Sequence, residues 1–349
     1  SVLALTALLG LGAGCSPQAY VSLMPGVIND PSNLSLRREI LGFGTGEMCR
    51  EAAKQSVPLK FRNDDPALGR FFPRQCAVRE LDNAHLYVHV AGTGYAWSNV
   101  TKRVGFGASA GIEYAPDFRL EGSTMYVYFR PVSTTEQRFE VTLVEQGGGG
   151  GTALGMLLPG GDPKGFVTQV GESLLTNELG RGFTVIRESS GETSFGLGLI
   201  PPGQRASQAF ERSSGGRKVL ANEHIEIHQE QRDFTGPFEV PSDGMALFLT
   251  MHVEGTTGVD VQIHPRPAGE VWLQSYTTST PAGPPPTPPL LDESVTAGMM
   301  WRRVVRLPKG SYFVVVDHSS TAGHSSPPKL ALDDRAASVR LGVEVDSAP

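Results

Sequence analysis

Residues 245–255, "MALFLTMHVEG", decide the reading of the C-terminal part of this chain, because the run is short, apolar and closed by glycine. It is one of eight such runs. The others are "EHIEIHQEQ" (223–231), "GPFEVPS" (236–242), "VDVQIHPR" (259–266), "EVWLQSY" (270–276), "WRRVVRLPKG" (301–310), "SYFVVVDHS" (311–319) and "ASVRLGVEV" (337–345). Short strands at turn-separated intervals predict an antiparallel sandwich or jelly roll. The break "TSTPAGPPPTPPLL" (278–291) is expected to be an extended surface loop, since prolines cannot donate to a sheet.

The same grammar continues toward the N-terminus. In "HLYVHVAG" (85–92), Leu86, Val88 and Val90 share one face and Tyr87 and His89 the other, the period of two of a strand. "GFGASAGIEYAP" (105–116), "STMYVYFRP" (123–131) and "RFEVTLVEQ" (138–146) behave alike. Gly147 to Gly151 reads as a hairpin connection. Segments 139–161 and 183–203 share a strand, glycine turn, strand, proline stop order, which is hairpin grammar and raises a duplication. Two short helices should precede this region. "SLRREILGF" offers Ser35 as N-cap, and "TGEMCREAAKQS" offers Thr45 with Glu47 in the first turn, ending at Val57-Pro58.

The fold class read from this is mainly β, an N-terminal α+β region followed by an antiparallel, jelly-roll-like β-sandwich. The domains expected are a signal peptide (1–14), a tether (15–34), an N-terminal α+β domain (35–135), a hairpin-rich middle region (136–217) and the sandwich (218–349). Forty-two glycines and 26 prolines suit a turn-rich β protein better than helical bundles. A net charge of −6 without any Lys/Arg cluster excludes nucleic-acid binding driven by phosphate neutralisation.

"SVLALTALLGLGAG" (1–14) is uncharged and too short to span a bilayer as a helix, so it reads as the apolar core of a secretory signal. Cys15 follows Gly12-Ala13-Gly14, and the junction resembles the lipobox of bacterial lipoproteins, although Gly12 stands where that family usually carries leucine. The resemblance implies a lipid on Cys15, a membrane anchor and an address in the bacterial cell envelope. Ser16 in place of aspartate points to the outer membrane. With Cys15 acylated, Cys49 and Cys76 remain as an even pair, and a disulfide is expected in an oxidising compartment.

Several clusters qualify for chemistry. His224-Ile225-Glu226-Ile227-His228 would project His, Glu and His to one strand face as a metal half-site, loosely similar to the H-x-H of cupins. Ile225 and Ile227 explain the same alternation as one amphipathic strand with its polar residues in water. No metal or other cofactor is expected. Gly107-Ala108-Ser109-Ala110-Gly111 satisfies G-x-S-x-G, but the nucleophile elbow needs a following helix, and "IEYAPDF" cannot supply one. Arg62 to Pro66 reads as a solvated turn, short of calcium ligands. Tyr95 and Trp97 share a face of "GTGYAWSN" and are candidates for a binding surface.

"FEVPSDGMALFLTMHVEG" followed by "RLPKGSYFVVVDHSS", with Gly310-x-Tyr312 and Asp317, resembles the GOLD-type β-sandwich. Asp317-His318-Ser319 stands where that family commonly has an Asp-Asn pair. The resemblance implies a binding or adaptor module. The leading expectation is therefore a non-enzymatic envelope lipoprotein with a protein or glycan partner. A lipid-binding or lipid-transfer protein is the alternative, ahead of a hydrolase or metal enzyme.

Overall fold

The computed structural model describes residues 25–38, 41, 49, 56–98, 102–145, 180–187, 193–203, 208–211 and 216–349, apart from 63, 326 and 328–335. It is mainly β, as the sequence predicts. The first unit is a seven-stranded antiparallel meander. Its strands are β1 (Val57–Leu59), β2 (Gly69–Glu80), β3 (Leu86–Ser98), β4 (Lys102–Glu121), β5 (Thr124–Val144), β6 (Phe183–Arg187) and β7 (Thr193–Leu197), hydrogen-bonded in chain order. β4 and β5 pair over nearly their whole lengths, with register shifts near Gly105, Ser109 and Glu113. Such bulges add twist and bend a long ribbon. Leu86, Val88, Ile112, Val127, Phe129 and Phe183 fill one face of this sheet.

The boundary expected between residues 135 and 136 falls inside β5, and the β6–β7 hairpin extends the same sheet. The described strands of the middle region, the end of β5 with β6 and β7, thus belong to the same sheet as β1 to β4, and β5 is one continuous strand of 21 residues. Of the suspected duplication, residues 139–144 pair with β4 and 183–187 pair with 193–197, and residues 146–161, Gly147 to Gly151 among them, lie outside the described residues. In the segment expected as a tether, residues 25–29 form a helical turn, residues 30–33 turn, a second helical turn starts at Leu34, and the stretch is docked. Ile28 is buried in the sheet's apolar cluster. The Asn29 side chain both donates to and accepts from the backbone of Phe118 at 2.8 Å, standing in for a strand neighbour. Ser35 lies one residue inside the helical turn that begins at Leu34, so it does not cap it. Cys15, Thr45 and Glu47 lie outside the described residues. Cys49 and Cys76 form the expected disulfide, with Cα atoms 5.4 Å apart, tying the N-terminal segment to β2.

The second unit comprises β8 (Lys218–Ile227), β9 (Gln231–Val240), β10 (Met245–Glu254), β11 (Gly258–Pro265), α1 (Arg266–Thr278), β12 (Leu291–Thr296), β13 (Met300–Arg306), β14 (Gly310–His318) and β15 (Ala337–Ser347). Two four-stranded sheets run β13-β10-β15-β8 and β12-β11-β14-β9. First strand beside last, and second beside seventh in the other sheet, is the double Greek key of a jelly roll. Val259, Val261 and Ile263 of β11 face Leu247, Leu249 and Met251 of β10 across a core of aliphatic side chains.

Eight strands were expected and eight form among the described residues, with one exchange. "EVWLQSY" is not a strand but lies in α1. Pro267 sits in the helix's first turn, where its missing N–H costs nothing. Gly269, Trp272, Leu273, Tyr276 and Thr277 are buried at the 3–4 spacing of a helix. The missing strand is "LDESVT", β12, which completes the sheet by pairing with β11 at its edge.

Candidate functional site at the seam between the two units

Tyr95 and Trp97 do share one face of β3, and that face meets the jelly roll. α1 fills the gap between. Its Trp272, Leu273 and Tyr276 pack with Phe72 of β2, Tyr95 of β3, Phe234 of β9 and Phe313 and Val315 of β14. Tyr95 stands edge-on to Tyr276 at 5.0 Å and Trp272 edge-on to Phe234 at 5.2 Å. The helix can approach β4 only because residue 105 is glycine, since a Cβ there would sit 1.9 Å from the Thr277 carbonyl oxygen. Both candidate aromatics are therefore occupied. Tyr95 is buried, and the indole of Trp97 lies flat on the His228 ring at 3.2 Å.

Charge is built into the same seam. Arg70, fully buried on β2, donates from Nε to both carboxylate oxygens of Asp233 at 2.8 Å and from Nη2 to Glu223 at 2.5 Å. Tyr95 and Thr235 hydroxyls complete the shell of Asp233 at 2.9 Å. Burial pushes the Tyr95 phenol well above its ordinary pKa, so it acts as a fixed donor. A second pair lies deeper. Arg232 and Asp317, both buried, are 2.9 Å apart, and Arg232 lies over the Trp272 ring. Ser319 donates to Asp317 from its backbone N–H at 3.0 Å and from its hydroxyl. Directly across the β11–β14 ladder from Asp317 is Asp260, which accepts from Ser294, His324 and Ser325. Gly323, at φ +71°, permits that turn, because a Cβ would lie 2.3 Å from the Asp260 carboxylate.

The His224–His228 strand is β8, and Ile225 and Ile227 enter the jelly-roll core as expected. Its polar residues do not all face water. His224 bonds Ser338 at 2.8 Å, whereas His228 is buried, bonded to Glu226 at 2.8 Å and covered by Trp97. The jelly roll does not stand alone, so the neighbouring sheet covers what an isolated strand would expose. The hydrogen bond from His228 holds the Glu226 carboxyl below its usual range, and burial holds His224 below the ordinary imidazole value. Among the described residues, no group of three His, Cys, Asp or Glu side chains is placed to hold a metal ion. If β8 is a structural strand, Ile225→Ala should cost at least about 2 kcal/mol through the cavity it leaves. His224→Ala should cost about 1 kcal/mol or less, the worth of one hydrogen bond. Chemical denaturation of both variants checks the contrast, and equal losses would contradict it.

Ser109 lies in the middle of β4, opposite Ala91 and Arg138, and the strand runs on to Glu121 with no helix. Arg62 to Pro66 leads into Ala67, which bonds the backbone of His224 and Glu226 and so closes the free edge of β8. Arg70, Asp233, Arg232 and Asp260 were not singled out from the sequence. The one signal was the charged pair Arg232-Asp233 inside a run that otherwise reads as a strand. No protein-family model matches the chain, and no curated protein matches it.

His264 gives the seam a pH dependence. It is fully buried on β11, bonded to Gln262 at 3.1 Å and edge-on to Trp272 at 5.0 Å. Burial pushes its imidazole down to about 4, with Asp292 opposing and Arg232 adding to the shift. An unfolded chain takes up this proton near 6.5, so stability is full above that pH and is lost as pH falls toward 4. The loss should reach up to about 3 kcal/mol. Asp317 titrates in the same window with the opposite sign, so the check is the difference in urea midpoint between the parent and His264→Gln from pH 7 to pH 4, in which the Asp317 contribution cancels. The parent should lose stability relative to His264→Gln as pH falls, and a constant difference would assign the effect elsewhere.

Proposed function

We propose that the protein is a lipid-anchored component of the bacterial cell envelope, at the outer membrane, that binds a protein or glycan partner without catalysing a reaction. One observation carries the non-catalytic reading. The side chains that could do chemistry, His228, Glu226, Tyr95 and Asp233, are engaged with one another and with Trp97 and Arg70 in holding two β units together. A jelly roll so braced offers its loops as the variable surface. The anchor rests on "LGAGC" at residues 11–15. It is supported by the Cys49–Cys76 disulfide, which suits an oxidising compartment and leaves Cys15 the odd cysteine of three. A lipid-transfer reading would need the apolar strands at 104–114 and 125–129 to line a greasy cavity, whereas Ile112 and Val127 pack with Ile28, Leu41 and Phe129.

Mass spectrometry of protein taken from its own membranes should find acyl chains on an N-terminal Cys15. Cys15→Ser should move the protein from the membrane to the soluble fraction, because one or more chains supply about 0.8 kcal/mol per buried CH₂. An unmodified Cys15 in membrane-purified protein would refute the anchor.

A further inference from the structure

The proline-rich loop between α1 and β12 is held more firmly than a connection requires. Its two ends are pinned by buried groups. Arg232 donates to the Gly283 carbonyl at 2.7 Å, the Trp272 indole donates to the same oxygen at 3.0 Å, and Thr321 donates to the Ala282 carbonyl at 2.8 Å. At the far end the Leu290 N–H donates to Ile263 at 2.8 Å. Between these points Pro284, Pro286, Thr287 and Pro288 are exposed, and Leu290 is 52% exposed.

Proline fixes its own φ and drives the residue before it into the extended or polyproline region. From Gly283 to Pro288 each residue but Pro286 precedes a proline, and the chain bends at Pro286 and Thr287. Five of the seven residues 283–289 carry no backbone N–H, so the loop has almost no donors with which to join a sheet. It is a preformed, apolar, acceptor-rich ridge. Ordering entropy has already been lost in folding, which favours recognition without further cost.

We propose that residues 284–290 are a docking ridge for a protein partner with an aromatic-lined groove, the groove chemistry that reads extended proline segments. This rests on the binding reading above and adds the surface and partner class. A glycan would need donors and acceptors in alternation, and between Pro284 and Pro289 only Thr287 carries donors, its hydroxyl and its N–H.

The test places a photo-crosslinking benzoylphenylalanine at Leu290 of the full chain in its native membrane. The expected result is one protein adduct, mapped to a residue beside Trp or Tyr in the partner. The purified partner should bind the full chain in solution. Two variants should each weaken that binding about tenfold or more, which is 1.4 kcal/mol. The triple replacement Pro284→Ala, Pro286→Ala, Pro288→Ala frees the ridge, and Thr287→Arg leaves every proline but puts a charge where the groove must close. Melting temperatures show that both variants fold. No adduct, an adduct with lipid or glycan, or binding unchanged in Thr287→Arg overturns the ridge. A partner that crosslinks instead from Phe61, on the first unit, overturns the ridge but leaves the binding reading standing.

Discussion

Arg70→Ala is expected to remove about 3–5 kcal/mol of folding stability, the cost of leaving a buried carboxylate without its counter-ion. Asp233 is nearly as buried as Arg70, and Glu223 is only partly exposed. After truncation, Asp233 still accepts the hydroxyls of Tyr95 and Thr235, but no positive charge faces it. The loss should belong mainly to the unpaired charge and not to missing attraction. Arg70→Met combined with Asp233→Asn tests this, because the amide keeps an acceptor for Tyr95 and carries no charge. The double variant should recover more than half of the loss in urea unfolding, read from the fluorescence of Trp97 and Trp272 at the seam. If it is no more stable than Arg70→Ala, the unpaired-charge explanation fails. A single transition should also persist in the parent protein, since Arg70 on β2 and Asp233 on β9 join the two units through bonds neither unit can satisfy alone.

Strands of period two were legible because alternation is a local property. Leu86, Val88 and Val90 announced β3, and Ile225 and Ile227 announced β8 and its buried face. α1 was not legible for a physical reason. "EVWLQSY" carries apolar residues at adjacent and alternate positions. Only burial at positions 269, 272, 273, 276 and 277 shows which period the fold uses, and that burial is supplied by Phe234, Phe313 and Tyr95 from elsewhere. β12 was hidden for the opposite reason. As an edge strand it buries only Val295 deeply, and Asp292, Glu293 and Ser294 disguise it as a loop. The candidate residues were half legible. Tyr95 and Trp97 were singled out together, as were His224, Glu226 and His228, but nothing in one sequence says that residues 97 and 228 stack. That contact depends on how two sheets dock, and docking is written in long-range pairs such as Arg70 with Asp233.

The deepest pair gives the sharpest expectation. Arg232→Met should cost about 3–5 kcal/mol near pH 8, because Asp317, fully buried and accepting among the described residues only from Ser319, must then either stay ionised without a counter-charge or take up a proton against the solvent pH. The loss should shrink in acid. Burial already pushes the Asp317 carboxyl up to about 7 against the pull of Arg232, and removing the guanidinium takes away that pull and moves it higher still. A carboxyl whose folded pKa lies above its unfolded value holds a proton in the native state that the unfolded chain has released. It therefore favours folding at low pH, and that advantage is lost as pH rises through the folded value. In Arg232→Met the variant's deficit should grow from pH 5 to pH 8. The reciprocal substitution behaves differently. Asp317→Asn strands a buried guanidinium that cannot shed its charge, so its deficit should not shrink in acid. Combining Arg232→Met with Asp317→Asn removes both charges and should recover most of either loss at every pH. Parallel pH profiles for the two single variants would contradict this account. The same guanidinium holds the Gly283 carbonyl at the base of the proline ridge. Arg232→Met should therefore also weaken partner docking at pH 5, where its folding deficit is smallest, because that end of the loop then loses its one charged donor and keeps the Trp272 indole and the Thr321 hydroxyl.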